Sequence, residues 1–449
     1  MSGQRQLHFG YNVLGDGMHP AAWRVPYTNP VGSLDPDQWL HIARVAERGT
    51  LDAIFLADSP VAMVRQDSGP GQPFDPTVLL SFLAGRTERI GLIGTISTSF
   101  EAPYNLARRV ASLDHLSHGR AAWNMVTTTD ASASANFGAQ EHLSREDRYA
   151  RAEEFADVVI KLWDSWDEDA ILADQKAGTF VAPDRVRAID HHGAHFDVAG
   201  PLIVPRVPQG RPVIFQAGGS PAGLELAARV ADGVFAAQAS LPDALAYTAD
   251  LRRRTGAHGR PADAIRVMPG LSFVLGGTEE EARRRNDELN GLAGEQRREW
   301  FAAQLGVGAD ELSWDRPLPD TLLDSTELSA RGSQGARDIV LNLARRDRAL
   351  TVRQLLDRVI TWHRLVVGAP GQLADTIQEW FEAGAVDGFN LMPDVNPSGL
   401  EAFVDHVVPI LRERGLFRRE YTGTTLRDHL GLEHPADLPH RSRSESAAV

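Results

Sequence analysis

The sequence has no cysteine in 449 residues. Disulfides, iron–sulfur clusters, thiolate zinc sites and a cysteine nucleophile are therefore excluded. Lysine is nearly absent too: Lys161 and Lys176 are the only two among 46 basic residues. Against 60 acidic residues the formal net charge is −14, and a surface of that sign opposes non-specific binding to nucleic acid or anionic lipid. No apolar run approaches the roughly 18 residues of a membrane span. The opening Met1-Ser2-Gly3-Gln4-Arg5-Gln6 carries no apolar signal region, so the expectation is a soluble, cytoplasmic protein. The HExxH, GxxxxGK and GxGxxG patterns, which mark zinc proteases, phosphate loops and dinucleotide folds, are also missing.

What is present is an ordinary globular balance, 43% hydrophobic and 24% charged. Short apolar runs bounded by Gly, Pro or Asp recur along the chain. They predict strands at Leu7–Val13, Asp52–Ala57, Ile90–Thr98, Ala121–Thr127, Pro212–Gly218, Gly233–Gln238, Ile265–Gly276 and Gly388–Pro393. Continuous apolar runs of this length suit strands buried on both faces. Helical patterns alternate with them. Asp35-Pro36 and Asp75-Pro76 each supply a capping side chain followed by Pro at the first helical position. Further helices are predicted at Leu106–Leu116, Glu146–Trp166, Pro221–Val230 and Gly399–Arg414.

Such an alternation predicts a TIM-type (β/α)8 barrel, an α/β fold of ~250 residues. The surplus length falls in two expected insertions. Residues 167–211 hold strand-like pieces, and residues 279–375 are charged and helical, broken at Asp315–Pro319 and Arg331–Gly335. Insertions after barrel strands tend to cover the active-site mouth. The expected domain is residues 1–434, with a frayed tail over 435–449.

In this fold the site forms at the carboxyl ends of the strands. The second strand ends in Asp58, which suits either a ligand acceptor or a loop cap. The third ends Thr95-Ile96-Ser97-Thr98-Ser99, hydroxyls that face a ligand edge or merely favour a strand. The fourth ends Asn124-Met125-Val126 and a threonine run. The fifth ends Gln216-Ala217-Gly218-Gly219-Ser220-Pro221 and opens a helix. Small residues there admit a close ligand, and the free N–H groups of a helix start favour phosphate; a plain capped helix is the alternative. Ser220 is not an elbow nucleophile, because the following Pro221 has no N–H to stabilise an oxyanion. His191-His192-x-x-His195 resembles a metal motif, but strand alternation would send His191 and His192 to opposite faces, which favours a solvated hairpin. No acid, base, nucleophile or metal set is evident. A phosphate-bearing cofactor that carries the chemistry itself suits that pattern.

Several segments resemble those of the nitrilotriacetate, EDTA and dibenzothiophene-sulfone monooxygenases, within the bacterial-luciferase-like superfamily. They are Phe55–Asp58, Ala102–Arg109 leading to Ser112–Ser117, Gly119–Thr127, Asn136–Gly138, Arg148–Phe155, Gln216–Ser220, Asp387–Pro393 and Gly415–Tyr421. They span nearly the whole chain in family order. The resemblance implies a luciferase-like barrel and FMN, used as FMNH2, bound by Asp58, Thr95 (or Ser97), Tyr149, Gly219 and Ser220. Tyr149 and Ser220 are the implied phosphate contacts. Where the family usually has His, four residues before the Tyr, this chain has Arg145, a further cofactor-binding candidate that can engage a phosphate or flavin edge as donor but cannot act as a neutral acceptor. The implied activity is oxygenation of an amine or sulfur compound through a flavin C4a-(hydro)peroxide. A separate NAD(P)H:flavin reductase would supply the reduced flavin, and the oxygenase would be a homodimer or homotetramer. An F420-dependent oxidoreductase and a non-catalytic flavin-binding protein are the rival readings.

Overall fold

The computed structural model describes residues 5–62, 71–138, 143–324, 334–360 and 363–435. Of the expected break at Arg331–Gly335 and the tail from Pro435, all but Gln334, Gly335 and Pro435 lie outside the described residues.

Parallel strands β1 (His8–Val13), β2 (Ala53–Leu56), β3 (Gly91–Ser97), β4 (Ala121–Val126), β5 (Val213–Ala217) and β6 (Gly233–Phe235) lie side by side. The seventh position is a strand interrupted at Met268-Pro269. Its first part, β7 (Arg266–Val267), pairs with β6, and its second, β8 (Gly270–Leu275), pairs with β10 (Gly388–Pro393). Because β10 pairs with β1, the sheet closes on itself, and the expected barrel is present. Each expected strand contains an observed one.

One strand falls where the sequence reading placed charged helices. β9 (His363–Gly368) runs parallel to β8 and bonds back to the end of β6 through Arg364 N to Gln238 O, 3.1 Å. It wedges between the sixth and seventh positions. Helices do dominate the rest of that stretch, at Glu279–Ala293, Gln296–Leu305 and Gln334–Arg346, and several pack around a small core of their own.

Local chemistry explains the helix starts. Helix α1 (Pro36–Arg48) is capped by Asp35, which accepts from Asp37 N. Helix α2 (Pro76–Ala84) is capped by Asp75, which accepts from Thr77 N and Val78 N, and α3 (Pro103–Leu116) likewise begins with Pro. Between α4 (Arg145–Trp163) and β5 the chain forms two antiparallel hairpins. The second carries His191 and His192, bonded to Glu154 and Asp197 respectively, so the paired imidazoles serve different carboxylates.

Side-chain alternation sorts two cores. Outward residues such as Phe9, Tyr11, Leu56, Trp123 and Phe273 join the layer beneath the helices. Inward residues Ala53, Phe55, Ile93, Ala122, Val213, Phe215 and Met268 form a separate apolar plug, joined by Leu426, Leu430 and Leu432 from the C-terminal segment. That segment seals the end of the barrel where the strands begin. Its anchor is Arg418, which donates to buried Asp52 at 2.9 Å. Phe9 N also donates to Asp52 at 2.6 Å, and His8 Nδ1 lies 3.1 Å away.

Burial alone would raise the Asp52 pKa, but Arg418 and His8 outweigh it and hold the carboxyl at about 2. A depressed folded-state value means the stability is present above the unfolded value and is lost as pH falls through the folded one. Asp52→Asn leaves Arg418 buried without its counter-charge and is expected to cost about 3–5 kcal/mol near neutral pH. Its deficit should shrink as pH falls from about 4 towards 2. Denaturant unfolding across pH checks this, and a deficit that does not change with pH would contradict it.

Candidate functional site at the strand ends

Two polar groupings stand at the carboxyl ends of the strands. The first lines a cavity of about 300 Å³ that includes Asp58, Gln72, Thr95, Ser97, Glu101 and Phe137. The Thr95 hydroxyl accepts a hydrogen bond from Asn124 Nδ2 at 2.8 Å. Ser97 Oγ pairs with Thr128 Oγ1 at 2.7 Å. Asp58 has its pKa raised, first by burial and then by the charge of Asp75, so it takes up a proton more readily than a surface carboxyl. Both hydroxyls weighed from sequence, Thr95 and Ser97, therefore line the same cavity as Asp58.

The second grouping sits where β5 turns into α5 (Pro221–Val230). Ser220 caps that helix by accepting from Gly223 N at 3.1 Å. Its hydroxyl also lies 3.1 Å from Tyr149 OH, which arrives from the second turn of α4. Tyr247 OH donates to Gly218 O at 3.2 Å and pins the turn from the far side. A Cβ on Gly219 would meet no atom within 4 Å, so that face is open, whereas one on Gly223 would stand 3.1 Å from Tyr149 OH. Gln216 Nε2 bonds Ala217 O at 3.0 Å, and its buried Oε1 has no partner among the described residues. Two hydroxyls, an open glycine and the positive end of a helix dipole thus converge on one spot, a combination suited to an anion.

The two groupings are joined by strand register. Thr95 pairs with Asn124, and Asn124 pairs with Phe215, the residue before Gln216. Two strand spacings, about 10 Å, therefore separate Thr95 from the β5 end. Arg145 is the first residue of α4 and is exposed. One turn before Tyr149, it shares that residue's helix face.

Sequence reading missed Gln216, Gly223 and Tyr247 as parts of this cluster. Gln216 alternates outward with Ile214, towards the helices, and only tertiary packing reveals that Gly223 and Tyr247 meet it. Ser220 Oγ is engaged by a backbone N–H and a phenol, which gives it no base to act as a nucleophile.

Residues 18–387 match the Luciferase-like monooxygenase family model. The chain belongs to that family. It is 42% identical to nitrilotriacetate monooxygenase component A of Aminobacter aminovorans over 97% of this chain and 98% of the relative. The dibenzothiophene-sulfone monooxygenase of Rhodococcus erythropolis (strain XP) is 37% identical, over 97% of this chain and 98% of its own. Among solved structures, a riboflavin lyase carrying modified FMN aligns at a TM-score of 0.81 and 34% identity, over 97% of this chain and 98% of that one. The two relatives named first are monooxygenases, and the chain is an enzyme of the luciferase-like monooxygenase class.

The glycines differ in what they tolerate. Gly219→Ala is expected to leave the melting temperature unchanged, because its new methyl meets nothing. Gly223→Ala must displace the Tyr149–Ser220 pair, offsetting the roughly 1 kcal/mol that Ala gains over Gly in a helix. Thermal unfolding of the two variants checks this, and a loss of stability in Gly219→Ala would contradict the open face.

Proposed function

We propose that this chain is the oxygenase component of a two-component FMN-dependent monooxygenase. The observation that carries the reading is the convergence of Tyr149 OH and Ser220 Oγ on the open Gly219 at the start of α5. The residues present fit the cofactor. A ribityl phosphate suits the two hydroxyls and the helix start. Asn124 Oδ1, buried beside Thr95 and without a partner among the described residues, suits a polar ring edge. Asp58 and Thr95 supply an acceptor and a hydroxyl in the adjoining cavity, and Arg145 a cation on the same helix face as Tyr149.

Reduced FMN, when bound, would supply the two electrons that activate dioxygen, one oxygen atom going to an amine or sulfur centre and the other leaving as water. The chain's own work is to hold the phosphate tail, orient the ring and exclude water from the chamber. Nothing in the chain matches a dinucleotide fingerprint, in keeping with a separate NAD(P)H:flavin reductase as the source of reduced flavin. A cytoplasmic setting and a homodimer or homotetramer complete the proposal.

Two measurements test it. Supplied with a general flavin reductase, NADH and a panel of amines and sulfur compounds, the protein should consume at least one substrate beyond the peroxide background. Purely background consumption across the panel would contradict the activity. Ser220→Asp keeps a good helix cap while placing like charge at the phosphate. FMN affinity should fall at least about tenfold, the scale of a lost charge-assisted hydrogen bond, with little change in melting temperature. Equal affinity in a flavin fluorescence titration would refute the phosphate assignment.

A further inference from the structure

The cavity beside Asp58 and Thr95 has a wall supplied from outside its own strand. Between β4 and α4 the chain winds into a tight helical segment of seven residues, Ala131–Phe137, with a 3-10 hydrogen-bond pattern. Segments of that kind are usually shorter, and this one is fixed along its length. Asp130 starts it by accepting from Ser132 N at 2.9 Å and Ser132 Oγ at 2.7 Å. Ala133 and Ser134 are buried. Gly138 ends it at φ +72°, a left-handed position that favours glycine.

Its last residues reach across the strand ends. Asn136 Nδ2 donates to Pro60 O at 2.8 Å, in the loop after β2. Phe137 stacks face to face on Phe100, in the loop after β3, with centroids 4.4 Å apart and planes 5° apart. β3 lies between β2 and β4 in the sheet, so the segment passes over the end of β3, which bears Thr95 and Ser97. Ser59, Pro60, Thr95, Ser97 and Phe137 all line the cavity of about 300 Å³. The contacts that make this bridge therefore also frame the cavity.

Packing alone does not account for either contact. The Asn136–Pro60 bond faces solvent, where a hydrogen bond exchanged for one to water adds little to stability. Phe137 is 50% exposed, so most of what its ring could gain by burial is not realised. An aromatic wall beside a few placed polar groups is instead the usual lining of a ligand pocket.

We propose that Asn136 and Phe137 form a strap that closes this cavity over the bound ring system, with Phe137 as its apolar wall and Asn136 as its latch to the β2 loop. The proposal rests on the flavin reading above and extends it from the phosphate to retention of the ring and exclusion of water. Asn136 acts through Pro60 and Phe137 and is a positioning residue.

Oxidised FMN bound to the full chain is the probe, read by its dissociation rate and by collisional quenching of its fluorescence with iodide. Phe137→Ser should speed dissociation about tenfold, the scale of a lost aromatic contact, and bring quenching of the bound flavin towards that of free flavin. Asn136→Ala should act in the same direction, about fivefold, the scale of one hydrogen bond. Phe137→Tyr keeps the ring and should behave as wild type. Melting temperatures should change little, and should Phe137→Ser fail to fold, Asn136→Ala carries the test. If wild type binds FMN while these losses leave dissociation and quenching unchanged, the strap is overturned and the flavin reading stands. Phe137→Tyr as leaky as Phe137→Ser would overturn it too. A wild-type protein that binds no FMN overturns both readings.

Discussion

A buried polar atom without a partner is among the more costly things a folded chain can hold. Among the described residues the inner wall of this barrel holds five, at Asn12 Oδ1, Asn124 Oδ1, Ser272 Oγ, His363 Nδ1 and Asn390 Oδ1. They come from five different strands, so no local accident explains them. That unmet hydrogen-bonding capacity is a cost the rest of the structure has to offset.

The remainder of the structure makes that arrangement tolerable. The inward positions not given to polar groups form an apolar plug, and the C-terminal segment seals it through Leu426, Leu430 and Leu432. Arg418 against Asp52 fastens that seal to the start of β2. Outside, aromatic and aliphatic residues pack the sheet against its helices. The strands are thereby fixed at one end, and their opposite ends are free to present side chains to a ligand.

Much of this was legible in the sequence, for physical reasons. Barrel strands are buried on both faces, so their apolar runs between Gly, Pro and Asp stand out, and the runs at Ile90–Thr98 and Ala121–Thr127 bracket observed strands closely. Asp35, Asp75 and Ser220, each followed by Pro, announce helix starts because capping is a local interaction. The β9 run at His363–Gly368 has the same pattern but sits among charged helices, and only its pairing with β8 identifies it. Tyr149 has no local signature, so composition and spacing could not nominate it; resemblance did. Gln216, Gly223 and Tyr247 converge through packing between elements distant in sequence, which no periodicity encodes. The partnerless state of Asn390 and His363 is a property of the closed barrel and is invisible in a linear chain.

The most direct test is a crystal structure of the protein soaked with FMN. The phosphate is expected within hydrogen-bonding distance of Tyr149 OH and Ser220 Oγ, with the ring at the barrel mouth beside Asp58 and Thr95. A phosphate bound elsewhere, or a mouth closed by side chains with the flavin outside it, would contradict it.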